Sequence, residues 1–218
     1  MILDFKSLYC NNYNDGQQLY VNLRDLGKSN DINTLVLHQK IQKFPPEFTE
    51  SLNIGNLVLV DGQHPDSIKF NRGSLKVLTF IDVDLRLIDW NKLSNQESKK
   101  SQVKSIHIDG GTLNTIKKTF GEVFTHLEFA SFTGCQLKTI QDNPIKGEVN
   151  AFEIIRNLKF LILSHNNIEN IRWLIESKEP AKDGKPVSVG SYNSLSKIDL
   201  SYNQINSIHQ ETFTHNRF

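Results

Sequence analysis

Cysteine, net charge and long apolar runs are all scarce in this chain. It has two cysteines and no cysteine pair at metal-ligand spacing, which removes the usual structural zinc sites. Lys and Arg number 25 against 24 Asp and Glu, a formal net charge of +1 with no basic stripe, so nucleic acid is not an expected partner. No apolar run approaches the roughly 20 residues that cross a bilayer, and the start MILDFKSLYC lacks the basic flank and apolar core of a secretion signal. The expectation is a soluble, folded chain trimmed at its start. Enzyme signatures fail on inspection: LGKS at Leu26–Ser29 lacks the first glycine of a phosphate loop, PVSVG at Pro186–Gly190 has Pro186 where a nucleophile elbow needs glycine, and no His-Glu-x-x-His occurs.

What the chain does have is repetition. LKFLILSHNNIENI (Leu158–Ile171) and LSKIDLSYNQINSI (Leu195–Ile208) carry apolar residues at places one, four, six, eleven and fourteen, with Asn166 and Asn203 at place nine. LKVLTFIDVDLRLI from Leu75 and VKSIHIDGGTLNTI from Val103 fit without gaps. FTHLEFASFTGCQLKTI fits from Phe124 if three residues are inserted before Cys135. INTLVLHQKIQKF from Ile32 fits with one residue missing, and IGNLVLVDGQ from Ile54 supplies another strand. Seven copies therefore start at 32, 54, 75, 103, 124, 158 and 195.

This pattern resembles the leucine-rich repeat, L-x-x-L-x-L-x-x-N-x-L-x-x-I, most closely in the last two copies. Alternation at places four and six describes a short strand with its apolar side inward, and places eleven and fourteen close the same core from the returning turn. No copy buries its apolar face alone. Stacked copies share one core, so the expected fold is an α/β repeat solenoid with a concave parallel β-sheet and an irregular, mostly non-helical convex side. Residues 1–31, with the alternating QLYVNL, read as an amino-terminal cap, and 32–218 as the solenoid. Stretches 90–102, 141–157 and 172–194 read as insertions on the convex path, the middle one with a short helix in VNAFEIIRNL and the last in turn and loop chemistry. Copy seven is followed by no closing repeat, so an open carboxy-terminal edge is expected to self-associate or to be continued by a further copy.

At place nine an Asn amide both donates and accepts, so Asn166 and Asn203 are expected to satisfy backbone groups of the turn after each strand. Earlier copies carry Lys40, Gly62, Val83, Gly111 and Cys135 there, which predicts a less regular first half. Cys135 stands in the C-x-L form that the repeat family also uses and reads as a buried structural thiol. About four repeat spacings, on the order of 20 Å, separate it from Cys10, beyond the roughly 7 Å reach of a disulfide. Two unpaired thiols and no N-x-S/T acceptor point to a reducing, cytoplasmic setting. The resemblance implies the opposite. Phe48, Phe120 and Phe213 stand where the typical extracellular subclass places its Phe, and Cys10 matches half of that subclass's disulfide-bonded cap. The reading taken is a secreted or receptor-ectodomain chain similar to arthropod secreted leucine-rich repeat proteins.

Function is expected on the outward places two, three, five, seven and eight. Val58, Val60, Val77 and Ile81 point outward from copies two and three, and Phe160 and Ile162 from copy six. His107 and Glu128 fall at place five of neighbouring copies, with Asp109 and His126 two residues away. That cluster reads as satisfied surface pairing or, remotely, as a metal or acid–base site. His165, Asp199 and Tyr202 flank the far end. An apolar centre with polar and aromatic neighbours is the anatomy of a protein interface. The expected function is a non-catalytic module that captures a protein on its concave face, with no cofactor. The alternative is an intracellular scaffold or a non-catalytic subunit of an enzyme complex.

Overall fold

The computed structural model describes residues 7–10, 31–38, 53–63, 74–93, 101–140, 150–174, 178–179, 187–188 and 194–208. Its organising element is one eight-stranded parallel sheet built from β1 (Ser7–Cys10), β2 (Asp31–His38), β3 (Asn53–Gln63), β4 (Val77–Asp84), β5 (Ser105–Asp109), β7 (Phe129–Thr133), β9 (Phe160–Ile162) and β12 (Lys197–Asp199), side by side in that order. Each strand meets only the copies before and after it, which is the stacking of a solenoid. Place four forms one unbroken row of Cα partners, Leu8–Leu35–Leu57–Leu78–Ile106–Ala130–Leu161–Ile198. The fold is an α/β solenoid of the leucine-rich-repeat type. Residues 1–31 contribute β1 to this sheet, whereas QLYVNL lies outside the described residues.

The core lies under the sheet. Places one, four, six, eleven and fourteen of copies four and six are filled by buried apolar residues; at place nine Asn166 is buried and Gly111 is half-buried. On the returning side, β6 (Thr115–Ile116) pairs with β8 (Thr139–Ile140), a second, two-stranded parallel contact between copies four and five. Two short helices complete that side, α1 (Lys118–Val123) and α2 (Ala151–Ile154). The latter falls within the segment expected to be helical. Asn150 starts it, accepting the Phe152 N–H at 2.9 Å while its own Nδ2 donates to the Trp173 carbonyl at 2.7 Å. The helices approach so closely that a Cβ on Gly121 would run into the Ala151 carbonyl.

Three sequence expectations need correction. Copy five starts at Leu127 rather than Phe124, because Ala130 pairs with Ile106 and Phe132 with Ile108. It therefore reads LEFASFTGCQLKTI with no insertion, and Phe129 points out of the core rather than into it. The stretches 90–102 and 172–194 are not wholly on the surface: Arg172 is exposed, but Trp90, Trp173 and Leu174 are buried. Trp90 packs edge-on against Phe120 and Phe124, with centroids 5.1 and 5.7 Å away, and Phe120 continues to Phe132 and Phe152, which meets Trp173 at 5.9 Å. Such ring pairs add about 0.5–1.5 kcal/mol each beyond their buried area. Finally, 172–194 is not all loop, since β10 (Lys178–Glu179) and β11 (Val187–Ser188) form an antiparallel pair.

In six copies the chain passes through the left-handed region at the same place, within β3 and β4 and after β5, β7, β9 and β12. Place eight holds Asp61, Asp82, Gly110, Gly134, His165 and Tyr202, with φ between 53° and 71°. Gly111 follows in the same region at φ 69°, and a side chain there would meet the Val83 backbone, which explains glycine where the repeat has Asn. At the last copy the core thins: Ile198, Leu200 and Ile205 are half-buried and Ile208 is 63% exposed. Of the three Phe residues singled out above, Phe120 is fully buried; Phe48 and Phe213 lie outside the described residues.

Candidate functional site: the outer face of the sheet

Side chains alternate across a strand, so the pattern that buries places four and six turns places three, five and seven to solvent. Val58, Val60, Val77, Ile81, His107 and Ile162 stand there half-buried, Asp199 likewise, while Asp109 and Phe160 are exposed. The pairing brings Val60 beside Ile81 and Ile81 beside Asp109 in one row at place seven. His107 lies between Thr79 and Ser131, and Ile162 between Ser131 and Asp199.

Glu128 does not join His107. The corrected register puts it at place two, ahead of β7, where it accepts from Lys104 at 3.1 Å and from Lys159 at 2.8 Å. The Lys159 and Lys104 ammonium groups hold its carboxyl below the ordinary range. His126 also lies ahead of the strand, exposed, with its Nδ1–H donating to the Ser101 carbonyl at 3.2 Å. The supposed His107–Glu128–Asp109–His126 cluster is therefore dispersed, and no three His, Cys, Asp or Glu side chains among the described residues are placed to share a metal ion.

What takes its place is an aromatic line. The ring of His107 stacks on Phe129 at 4.9 Å, and Phe129 meets Phe160 at 6.2 Å, so three neighbouring strands present a run of rings. His107 is steadied by Ser105, whose Oγ lies 2.8 Å from its Nε2, and partial burial lowers its pKa. Phe160 is 40% exposed. Phe129 is the residue that the sequence reading missed, because it stood at place six of the wrong register. The signal that finds it is the gap-free alignment from Leu127.

A second ring pair stands at the strand exits. His165 and Tyr202, both at place eight, stack at 4.2 Å with planes 11° apart, and Tyr202 is 75% exposed. Asp199 accepts from the N–H and Oγ of Ser201, at 2.9 and 2.7 Å, bonds that lower its pKa. Among the described residues no helix is long and apolar enough to cross a membrane.

No family model matches this chain, and no curated protein matches it. Among solved structures, similarity is found to the chain in the crystal structure of a TLR13–ssRNA13 complex, at 16% identity and a TM-score of 0.42, covering 84% of this chain. The chain spans about 30% of the length of that structure.

Proposed function

We propose that this solenoid is a non-catalytic protein-binding module that holds its partner on the outer face of the sheet. The observation that carries this reading is the His107–Phe129–Phe160 line beside Ile162: aromatic and aliphatic side chains turned to solvent from strands whose backbone groups are already paired. Large outward rings on a rigid frame lose little conformational entropy on association, whereas ordering a loop costs about 1–2 kcal/mol per residue fixed. Val58, Val60, Val77 and Ile81 extend the apolar surface, Asp109 and Asp199 give it polar neighbours, and His165 and Tyr202 form its far rim. Glu128 and His126 lie at its entrance. A secreted or ectodomain setting, like that of arthropod secreted leucine-rich repeat proteins, belongs to the same proposal and is supported by Phe120 in the core. The half-exposed apolar row of copy seven supports self-association through that edge, which sedimentation against concentration tests.

The test is affinity capture from the source organism, followed by binding of the captured partner to three proteins: wild type, Phe129→Ala with Phe160→Ala, and a variant with 176–190 replaced by a short Gly-Ser turn. Truncating the centre of an interface costs roughly 2 kcal/mol or more, about 30-fold in Kd. Loss in the double variant with retention in the loop variant is the expected result. Retention in the double variant and loss in the loop variant, both still folded, would move the site to the insertion.

A further inference from the structure

We infer that the outer face receives one amphipathic α-helix of the partner, lying across the strands, with acidic side chains along one flank and basic side chains along the other. This rests on the binding reading above and adds the form and charge pattern of the occupant.

The face has two rims of opposite sign. At the strand entrances Lys76, Lys104 and Lys159 occupy place two and Lys197 place three; all four are exposed, and Glu128, the one acid in the row, is shared between two of them. At the exits Asp61 and Asp82 occupy place eight and Asp109 place seven, all exposed. Lys76 precedes β4 and Asp82 lies near its far end; Lys104 precedes β5 and Asp109 is its last residue. Neither Asp82 nor Asp109 has an ion-pair partner among the described residues. Between the rims lie the apolar places Val77 and Ile81 on β4 and the rings of His107, Phe129 and Phe160.

Dimensions select the occupant. Five or six residues of strand separate the rims, roughly 16–20 Å at about 3.3 Å per residue. An α-helix about 10–12 Å across with its side chains, flanked by extended Glu and Arg or Lys tips, fills that width. From β3 to β12 there are five strand spacings, roughly 24 Å, the length of about 16 helical residues. An added β-strand is excluded on this surface. The backbone groups of β3, β4, β5, β7 and β9 are paired on both sides, so the face offers side chains only; among the described strands, addition is confined to the outermost, β1 and β12. A helix laid here puts an apolar stripe on the rings, acids over the lysine rim and bases over the aspartate rim.

Three synthetic helical peptides of about 16 residues test this. They share one Leu/Phe stripe and carry one acidic and one basic flank, two acidic flanks, or two basic flanks. Reversing the direction of the helix exchanges its flanks, so both registries of the mixed peptide are covered. On the wild-type protein the mixed peptide is expected to bind about tenfold more tightly than either other, with the advantage falling as salt rises. Lys76→Glu with Lys104→Glu is expected to transfer the preference to the peptide with two basic flanks. Equal binding of the three, no binding, or a preference unchanged by charge reversal overturns the inference. If the peptides fail while the captured partner still depends on Phe129 and Phe160, the face remains the binding surface and only the helix is wrong. If the captured partner ignores both rings, the underlying reading falls as well.

Discussion

The Oδ1 of Asn166 accepts the backbone N–H of Cys135 at 3.1 Å, reaching from copy six into the turn of copy five. The same oxygen accepts the Leu137 N–H at 3.0 Å, and its Nδ2 donates to the carbonyls of Phe132, Leu163 and Ser164. Asn203 repeats the arrangement one copy later, accepting from Ile168 and donating to Leu163 and Leu200. Place nine is thus a stitch between consecutive copies. Asn166 is buried, so Asn166→Ala is expected to cost about 1–3 kcal/mol in urea unfolding by stranding buried groups. Asn166→Asp should be no milder, since a carboxylate faces three carbonyl oxygens it cannot donate to. A neutral Asn166→Ala would mean that the turn closes without the amide.

Adjacent residues of copy six test the register. Leu163 is fully buried, whereas Ile162 faces outward and is half-buried. Leu163→Ala should cost roughly 2–5 kcal/mol through lost transfer energy plus a cavity, and Ile162→Ala clearly less. Equal midpoint shifts in thermal unfolding would contradict the alternation that defines the outer face.

Where both strand and turn obey the repeat, the fold was legible residue by residue: Leu161, Leu163, Ile168 and Ile171 are buried as their places require. Copy five was misread because Ala130 stands at place four. A methyl group carries little hydrophobic signal, so Leu127 attracted the register, and with it went Phe129, the middle ring of the candidate site. Gly121 and Ala151 hid another feature, since the close helix contact they allow leaves no apolar periodicity in such short helices. Trp90 and Trp173 sit in stretches whose polar composition reads as surface, yet one large ring per stretch is enough to anchor it in the core. The pairing of His107 with Phe129 depends on which copy lies next to which in register, information that no single copy contains.

Cys135 supplies a probe of cooperative opening. It is fully buried, its Sγ–H lies 3.4 Å from Asn166 Oδ1, and desolvation pushes its pKa up to about 12. The thiolate is the reactive form, so native protein at pH 8 should leave this residue unlabelled by maleimide. In a Cys10→Ser variant, labelling should appear only with the urea transition. Rapid labelling of that variant without denaturant would show that copies five and six separate locally.

The last prediction concerns pH. Partial burial disfavours the charged form of His107, so its folded-state pKa lies below the ordinary 6.5. As pH falls, the unfolded chain takes up this proton first; stability attributable to His107 is therefore full above about 6.5 and declines below it, until the folded-state pKa is passed. Glu128 and Asp199 act in a lower window. Their folded-state pKa values are depressed from 4.5 and 3.8, so their contribution is present above those values and lost as pH falls through the folded ones. His107→Phe keeps a ring against Phe129 and removes the titration. Below pH 6.5 the unfolding free energy of wild type should therefore fall more steeply than that of the variant, and the two curves should run parallel only once the folded-state pKa of His107 has been passed. Equal slopes in the upper window would mean that His107 is hydrated in the folded protein, and the ring line on which the candidate interface is built would then be more open to water than its 4.9 Å stacking distance implies.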